Sequence, residues 1–234
     1  VCQVEKIERK KENKNPPLLF NLAELQNVCS RLFKISPDET LRIVQELYEK
    51  KLVTYPRTDA RVLSTAVAKE IYKNISGLRR YPQIDGAADE VLEMGTYKNI
   101  AKTRYVNDKQ ITDHYAIIPT GQGLSALNGI SLTAQRVYET IVRRFLCIFY
   151  PPAVYQKVNL VTVMEKEHFF SSFRVLQSEG YLKIAANSFA AKKASEKSKD
   201  SEEEENTSCN EVLLAALQKL KKNDILSVDS QIGR

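Results

Sequence analysis

No pair of cysteines in this sequence stands at zinc spacing. Cys2, Cys29, Cys147 and Cys209 are scattered, without a Cys-x-x-Cys or a Cys/His cluster, so a reduced thiol set is expected rather than a metal site. No apolar run approaches the ~20 residues of a membrane helix, and no basic segment leads into an apolar one at the start. Neither membrane nor secretion is indicated, and the cytoplasm is the expected compartment. Histidine is confined to His114 and His168, and no internal repeat is evident. The chain opens at Val1 without a methionine and stops at Gln231-Ile232-Gly233-Arg234 without a terminating element, which reads as a piece of something larger.

What is present is a 234-residue chain with 43% apolar residues, enough for one generous core or two modest ones. The net charge of +6 and a pI near 9.0 fit an acidic partner such as nucleic acid, held by phosphate neutralisation and counterion release.

Val4 and Ile7 alternate with charge as in a short strand, and the residues from Glu8 to Asn15 read as a basic linker ending in Pro16-Pro17. From Asn21 the period becomes helical, with Leu22, Leu25, Val28, Cys29, Leu32 and Phe33 on one face. Ser36-Pro37-Asp38-Glu39 opens a second helix as N-cap, first-turn proline and capping-box glutamate, with Leu41, Val44, Leu47 and Tyr48 expected inside. The extended Leu52-Val53-Thr54-Tyr55 follows, and the whole reads as a helix-turn-helix with a wing. Ser64 caps a third helix carrying Val67, Ile71 and Ile75, and the stretch from Gly77 to Thr103 is mixed. A helix with Thr133 as its cap and Leu132 and Val137 as a staple places Val137, Ile141, Val142, Phe145, Ile148 and Phe149 inside before Pro151-Pro152. Val154 to Val163 and His168 to Leu176 form a hairpin about Glu165-Lys166-Glu167. Lys192 to Ser208 is charged and nearly free of apolar residues, as in a disordered loop. Val212 to Leu220 is apolar enough to pack, and Asp224 to Val228 reads as a last strand.

Tyr55 precedes a proline, which favours an extended backbone, and Arg57, Thr58, Asp59 and Arg61 crowd the next positions. A phenol attacks poorly at neutral pH unless cations stabilise its oxyanion or a base takes its proton. Arginine binds phosphate bidentately and keeps its charge, which suits a phosphoryl transition state. A tyrosine in a strand is more commonly a core residue, and a lone histidine such as His114 more commonly structural. Spacing alone does not tie His114 to Tyr55.

The run from Leu47 to Arg61, containing Thr54-Tyr55-Pro56-Arg57-Thr58-Asp59, resembles the active-site signature of type IA DNA topoisomerases of the bacterial topoisomerase III kind. The block Asp113-His114-Tyr115-Ala116-Ile117-Ile118-Pro119-Thr120 resembles that family's His-x-Ala-Ile-x-Pro-Thr, and Tyr115 departs from a second histidine seen in its relatives. Val4 to Pro17, Leu22 to Gln26, Glu179-Gly180-Tyr181 and Asp224 to Leu226 extend the likeness over nearly the whole chain.

The resemblance implies that Tyr55 is the nucleophile of a 5′-phosphotyrosyl link to single-stranded DNA, with Arg57 and His114 as catalytic phosphate contacts. Thr58 and Arg61 join Arg57 and His114 as expected nucleic-acid-binding residues, and Asp59 holds the loop. It implies an ATP-independent topoisomerase whose Mg²⁺ is bound by a toprim domain outside these residues, so no metal is expected in this piece and Asp38-Glu39 and Glu202 to Glu205 are no substitute. The expected partners are single-stranded DNA and the parent's toprim and gate domains, with no membrane, and the chain is expected to be a monomer inactive by itself. The expected fold is α+β: a helical, winged-helix-like domain at 18–153 carrying the tyrosine, inserted in a discontinuous β-rich hinge or arch domain at 1–17 and 154–234, with 192–208 disordered. A tyrosine recombinase would need a His-x-x-Arg that is missing. A non-catalytic winged-helix DNA-binding or adaptor module is the alternative.

Overall fold

The computed structural model describes residues 1–189 and 219–227. The expected loop at 192–208 and most of the apolar segment at 212–220 lie outside them.

Three helices start where a side chain satisfies an orphan backbone donor. Asn21 accepts from the Glu24 amide ahead of α1 (Leu22–Phe33), Ser36 from Glu39 ahead of α2 (Pro37–Glu49), and Ser64 from Val67 ahead of α3 (Thr65–Gly77). After α4 (Ala87–Met94) and short 3₁₀ turns comes α5 (Leu132–Cys147), whose cap is Ser131 rather than Thr133. Both hydroxyls can cap, but the chain turns helical two residues early and buries Ala134, beside Val137, in the core.

The chain divides into two units. One takes Asn15–Pro151 and the described part of 181–198; the other takes Val1–Lys14, Pro152–Gly180 and the described part of 199–234. In the first, α5 is buried on nearly every side, and Tyr138, Phe145 and Phe149 join Phe20, Leu25, Leu47, Leu63 and Ile71 in the core. Two charged residues go inside with them. Arg143 Nε donates to Glu139 Oε1 at 2.6 Å, and the carboxylate also accepts from the Ser188 amide and hydroxyl at 2.7 and 2.8 Å. Arg143 further donates to the carbonyls of Ile184 and Gln83. Such a pair adds little net stability, yet removing one partner costs about 3–5 kcal/mol, because the other charge stays buried. Its structural effect is to fasten the segment carrying one-turn α6 (Leu182–Ala185) to α5.

The second unit is an antiparallel sheet in the order β3-β2-β1-β4, built from β1 (Cys2–Lys14), β2 (Ala153–Met164), β3 (Glu167–Ser178) and β4 (Ile225–Leu226). The two-residue Glu165-Lys166 turn, with Glu165 at φ +58, joins β2 to β3. The expected basic linker after Ile7 is strand instead: β1 pairs with β2 as far as Lys14↔Ala153. On its other side Cys2 and Gln3 pair with β4, and Val4 exchanges backbone bonds with Asn223 and Asp224.

No two-stranded wing follows α2 among the described residues. Leu52 to Tyr55 forms no named strand, and Val53 makes a single antiparallel bridge to Pro119. A proline lacks the donor needed to extend that ladder on its side.

Burial pushes the thiols of Cys29 and Cys147 up to about 12 from an ordinary value of 9.0. A raised folded-state value leaves stability intact below about 9 and erodes it as the pH rises toward about 12, since the unfolded thiols ionise first. Peptide mapping after iodoacetamide treatment at pH 8.5 should find both cysteines unmodified in the native chain and modified in urea, with the urea midpoint falling above pH 9; modification of either in the native chain would contradict this burial.

Candidate active site

The path into the site is set at the end of α2. The Lys51 amide donates to the Tyr48 carbonyl at 2.8 Å and the Leu52 amide to the Leu47 carbonyl at 2.9 Å, with Lys51 left-handed at φ +60. These are the paired 5→2 and 6→1 bonds of a Schellman ending, which turn the chain sharply out of the helix. Leu47 and Leu52 are both fully buried, so the exit is anchored in the core.

The segment from Leu52 to Thr58 is then tied to the segment from His114 to Thr120. Thr54 donates its amide to the Ile118 carbonyl at 3.0 Å and its hydroxyl to the Ala116 carbonyl at 3.1 Å, and that hydroxyl accepts from the Ile118 amide at 2.9 Å. The Thr120 amide donates to the Leu52 carbonyl at 3.0 Å. Thr58, itself buried, donates its hydroxyl to the His114 carbonyl at 2.8 Å and accepts from the Ala60 amide at 3.1 Å.

The second segment is braced against α3. Asn74 Nδ2 donates to the Pro119 carbonyl at 2.9 Å. A Cβ on Gly77 would fall 2.1 Å from the Gly121 carbonyl oxygen, and Gly121 lies at φ +76, so the two backbones approach this closely only because both residues are glycine.

These ties bring Tyr55 and His114 together. Their rings meet with centroids 4.3 Å apart and planes tilted by 42°. Tyr55 is half-buried, not a core tyrosine, and its hydroxyl has no hydrogen bond among the described residues. His114 is exposed. Tyr48, expected inside, is instead 39% exposed and meets the Tyr55 ring edge-on at 5.4 Å and 82°. The inner face of α2 is Thr40, Ile43, Val44 and Leu47.

The remaining expected residues go different ways. Arg57 is exposed, with no hydrogen bond or ion pair among the described residues, so its guanidinium is open to an anion. Arg61 turns inward: its Nε donates to the Leu19 carbonyl at 3.1 Å and its Nη2 lies 3.5 Å from Glu24. Glu24 also faces Arg144 at 3.7 Å. The Asp59 carbonyl accepts from Asn21 Nδ2 at 3.1 Å, which ties the loop to the cap of α1. The roles of Thr54, Asn74 and Asn21 as ties carried no signal in spacing, because each depends on a partner distant in sequence.

A family model described as DNA topoisomerase matches residues 1–231. This chain belongs to the type IA DNA topoisomerase family. DNA topoisomerase 3 of Bacillus licheniformis is 35% identical over 215 residues, covering 92% of this chain and 27% of that protein. DNA topoisomerase 3 of Bacillus subtilis is 34% identical over 166 residues, covering 70% and 22%. The solved full-length topoisomerase I of Thermotoga maritima matches with a TM-score of 0.55 over 78% of this chain and 29% of that one, at 22% identity, a likeness of fold. The chain spans about a quarter of the length of the curated relatives it matches.

The family uses Mg²⁺ in the intact enzyme. No group of three or more His, Cys, Asp or Glu side chains converges among the described residues. Glu24 is shared between two arginines, and Asp38 and Glu39 sit in the first turn of α2. Glu202 to Glu205 lie outside the described residues. The residues described around Tyr55 do not fit the ion.

Replacing Thr58 by valine keeps the shape but leaves the His114 carbonyl without its donor. A loss of about 1–2 kcal/mol in urea unfolding is expected, whereas Asp59→Ala, at an exposed side chain, should stay within about 0.5 kcal/mol. Equal effects of the two would contradict the clamp.

Proposed function

We propose that this chain is the DNA-cutting core of a bacterial topoisomerase III-like enzyme, breaking and rejoining single-stranded DNA by transesterification at Tyr55. The supporting observation is the half-exposed phenol with an open hydroxyl, in ring contact with His114 and followed two residues later by an uncommitted arginine. In this reading Tyr55 Oη gives its proton to solvent and bonds to phosphorus, the bond from phosphorus to the deoxyribose 3′-oxygen breaks, and that oxygen leaves as a 3′-hydroxyl once protonated. The reverse reaction reseals the strand, and no ATP is consumed because one phosphodiester-type bond replaces another.

Arg57 places a permanent cation at the phosphoryl oxygens, where negative charge grows in an in-line displacement. His114 meets the phenol ring at a tilt and makes no hydrogen bond to its hydroxyl, which favours a phosphate contact over a role as general base. Thr58 acts through the loop. Arg61, engaged by Leu19 and Glu24, reaches DNA only through its remaining nitrogen. The toprim domain of the parent, outside this chain, supplies Mg²⁺ and the acidic side of the site. The helical unit serves as the tyrosine-bearing domain and the sheet unit as hinge, in a cytoplasmic enzyme acting on DNA.

The test mixes the chain with a toprim-containing segment, Mg²⁺ and end-labelled single-stranded DNA, then quenches in detergent. A 3′-end label should travel with the protein and a 5′-end label should not, Tyr55→Phe should abolish the adduct, and Arg57→Ala should lower it about 10²-fold or more. Protein-linked 5′ label, or an adduct persisting in Tyr55→Phe, would overturn the assignment. DNA binding without any adduct, in a reconstitution shown competent with a relative's chain, would favour the non-catalytic binding module.

A further inference from the structure

Tyr48 lies outside the buried face of α2. Its neighbours Ile43, Val44 and Leu47 carry the packing of α2, while its own side chain is 39% exposed and makes no hydrogen bond among the described residues. The one ring it meets among them is that of Tyr55, edge-on, with centroids 5.4 Å apart and planes at 82°. This is the arrangement in which the positive edge of one ring faces the negative face of the other, or the reverse.

Both tyrosines stand on fixed backbone. Tyr48 lies in the last turn of α2, and its carbonyl accepts the Lys51 amide that helps close the helix. Tyr55 follows Thr54, which is tied to Ala116 and Ile118. Their contact therefore restrains the Tyr55 side chain rather than the loop. The Tyr55 ring is bounded by His114 at 4.3 Å and by Tyr48 at 5.4 Å, leaving the hydroxyl as its open end.

We propose that Tyr48 is a positioning residue that, with His114, holds the Tyr55 phenol in the rotamer from which it attacks the scissile phosphate. The inference rests on Tyr55 being the nucleophile. An in-line displacement succeeds from a narrow range of approach, and a ring free to visit other rotamers reacts only for the fraction of time it spends in that one. Tyr48 acts through its ring, so its hydroxyl is dispensable. It contacts the nucleophile and not the DNA, so its loss lowers the rate at saturating DNA and leaves affinity alone.

The test measures single-turnover adduct formation by the full chain, reconstituted as above, alongside binding of a single-stranded oligonucleotide. Tyr48→Ala should lower the rate at saturating DNA about three- to ten-fold, the size of an edge-to-face ring contact, with the dissociation constant within about two-fold. Tyr48→Phe should restore the rate. Should the alanine variant fail to fold, Tyr48→Leu, which keeps apolar bulk without a ring, carries the same expectation. An unchanged rate overturns the proposal. Weakened binding with an unchanged saturating rate also overturns it and makes Tyr48 a base-stacking residue instead.

A second measurement separates this idea from the catalytic reading. With 3-fluorotyrosine placed at position 55, Tyr48→Ala should move the ¹⁹F resonance toward the unfolded position and narrow it, while Tyr48→Phe should not. An unmoved resonance overturns the restraint whether or not Tyr55 forms an adduct. A moved resonance in a chain whose Tyr55 forms no adduct leaves the ring contact standing and removes its catalytic purpose.

Discussion

Thr58 and His114 lie 56 positions apart, and a single hydroxyl-to-carbonyl hydrogen bond of 2.8 Å closes that distance at the proposed active site. Thr58 is buried, which limits the competition of water for its hydroxyl. Thr54 repeats the device four residues earlier, donating to one carbonyl and accepting one amide of the same facing segment. Neither segment forms a named strand. Their mutual position depends on these side chains, on the ending of α2 and on the glycine contact between Gly77 and Gly121. The backbone bonds from Thr54 to Ile118 and from Thr120 to Leu52 complete the clamp that sets the tyrosine beside the histidine.

The parts of this arrangement legible in the sequence are local ones. Ser36 and Ser64 announced their helices because an N-cap acts over three residues, whereas the capping role of Asn21 emerged only from the fold. The β2–β3 hairpin was visible because its strands are rich in β-branched residues and its turn is short. Where a position had two locally equivalent readings, tertiary packing chose between them. Ser131 took the cap from Thr133, and the charged run after Ile7 became part of a long strand because β2 offered it a ladder. Tyr48 fits the helical period of a core residue, yet Ile43 completes the inner face and leaves Tyr48 for Tyr55. The return of Tyr181 to the helical unit, its amide donating to the Pro151 carbonyl, has no local signal at all. The likeness to type IA topoisomerases carried the pairing of Tyr55 with His114, which periodicity and spacing did not.

Charge near the proposed nucleophile is sorted by burial. Arg61 and Arg144 share Glu24 and spend their donors on the carbonyls of Leu19 and Leu18, so they act chiefly as struts. Arg57 remains exposed. A guanidinium in open water interacts weakly with a phosphate and much more strongly once solvent is excluded. The proposed chemistry accordingly depends on solvent being excluded from Arg57 when DNA is bound. The Tyr48, Tyr55 and His114 rings meet the same requirement from the other side, since they fix the phenol before the phosphate arrives.

The central claim is that the oxygen joining DNA is the phenol of Tyr55. The most direct measurement is to digest a trapped protein–DNA adduct with nuclease and protease and to locate the residual nucleotide by tandem mass spectrometry. The account predicts a nucleotide linked through its 5′-phosphate to Tyr55. A nucleotide on any other residue, Tyr48 included, would contradict it.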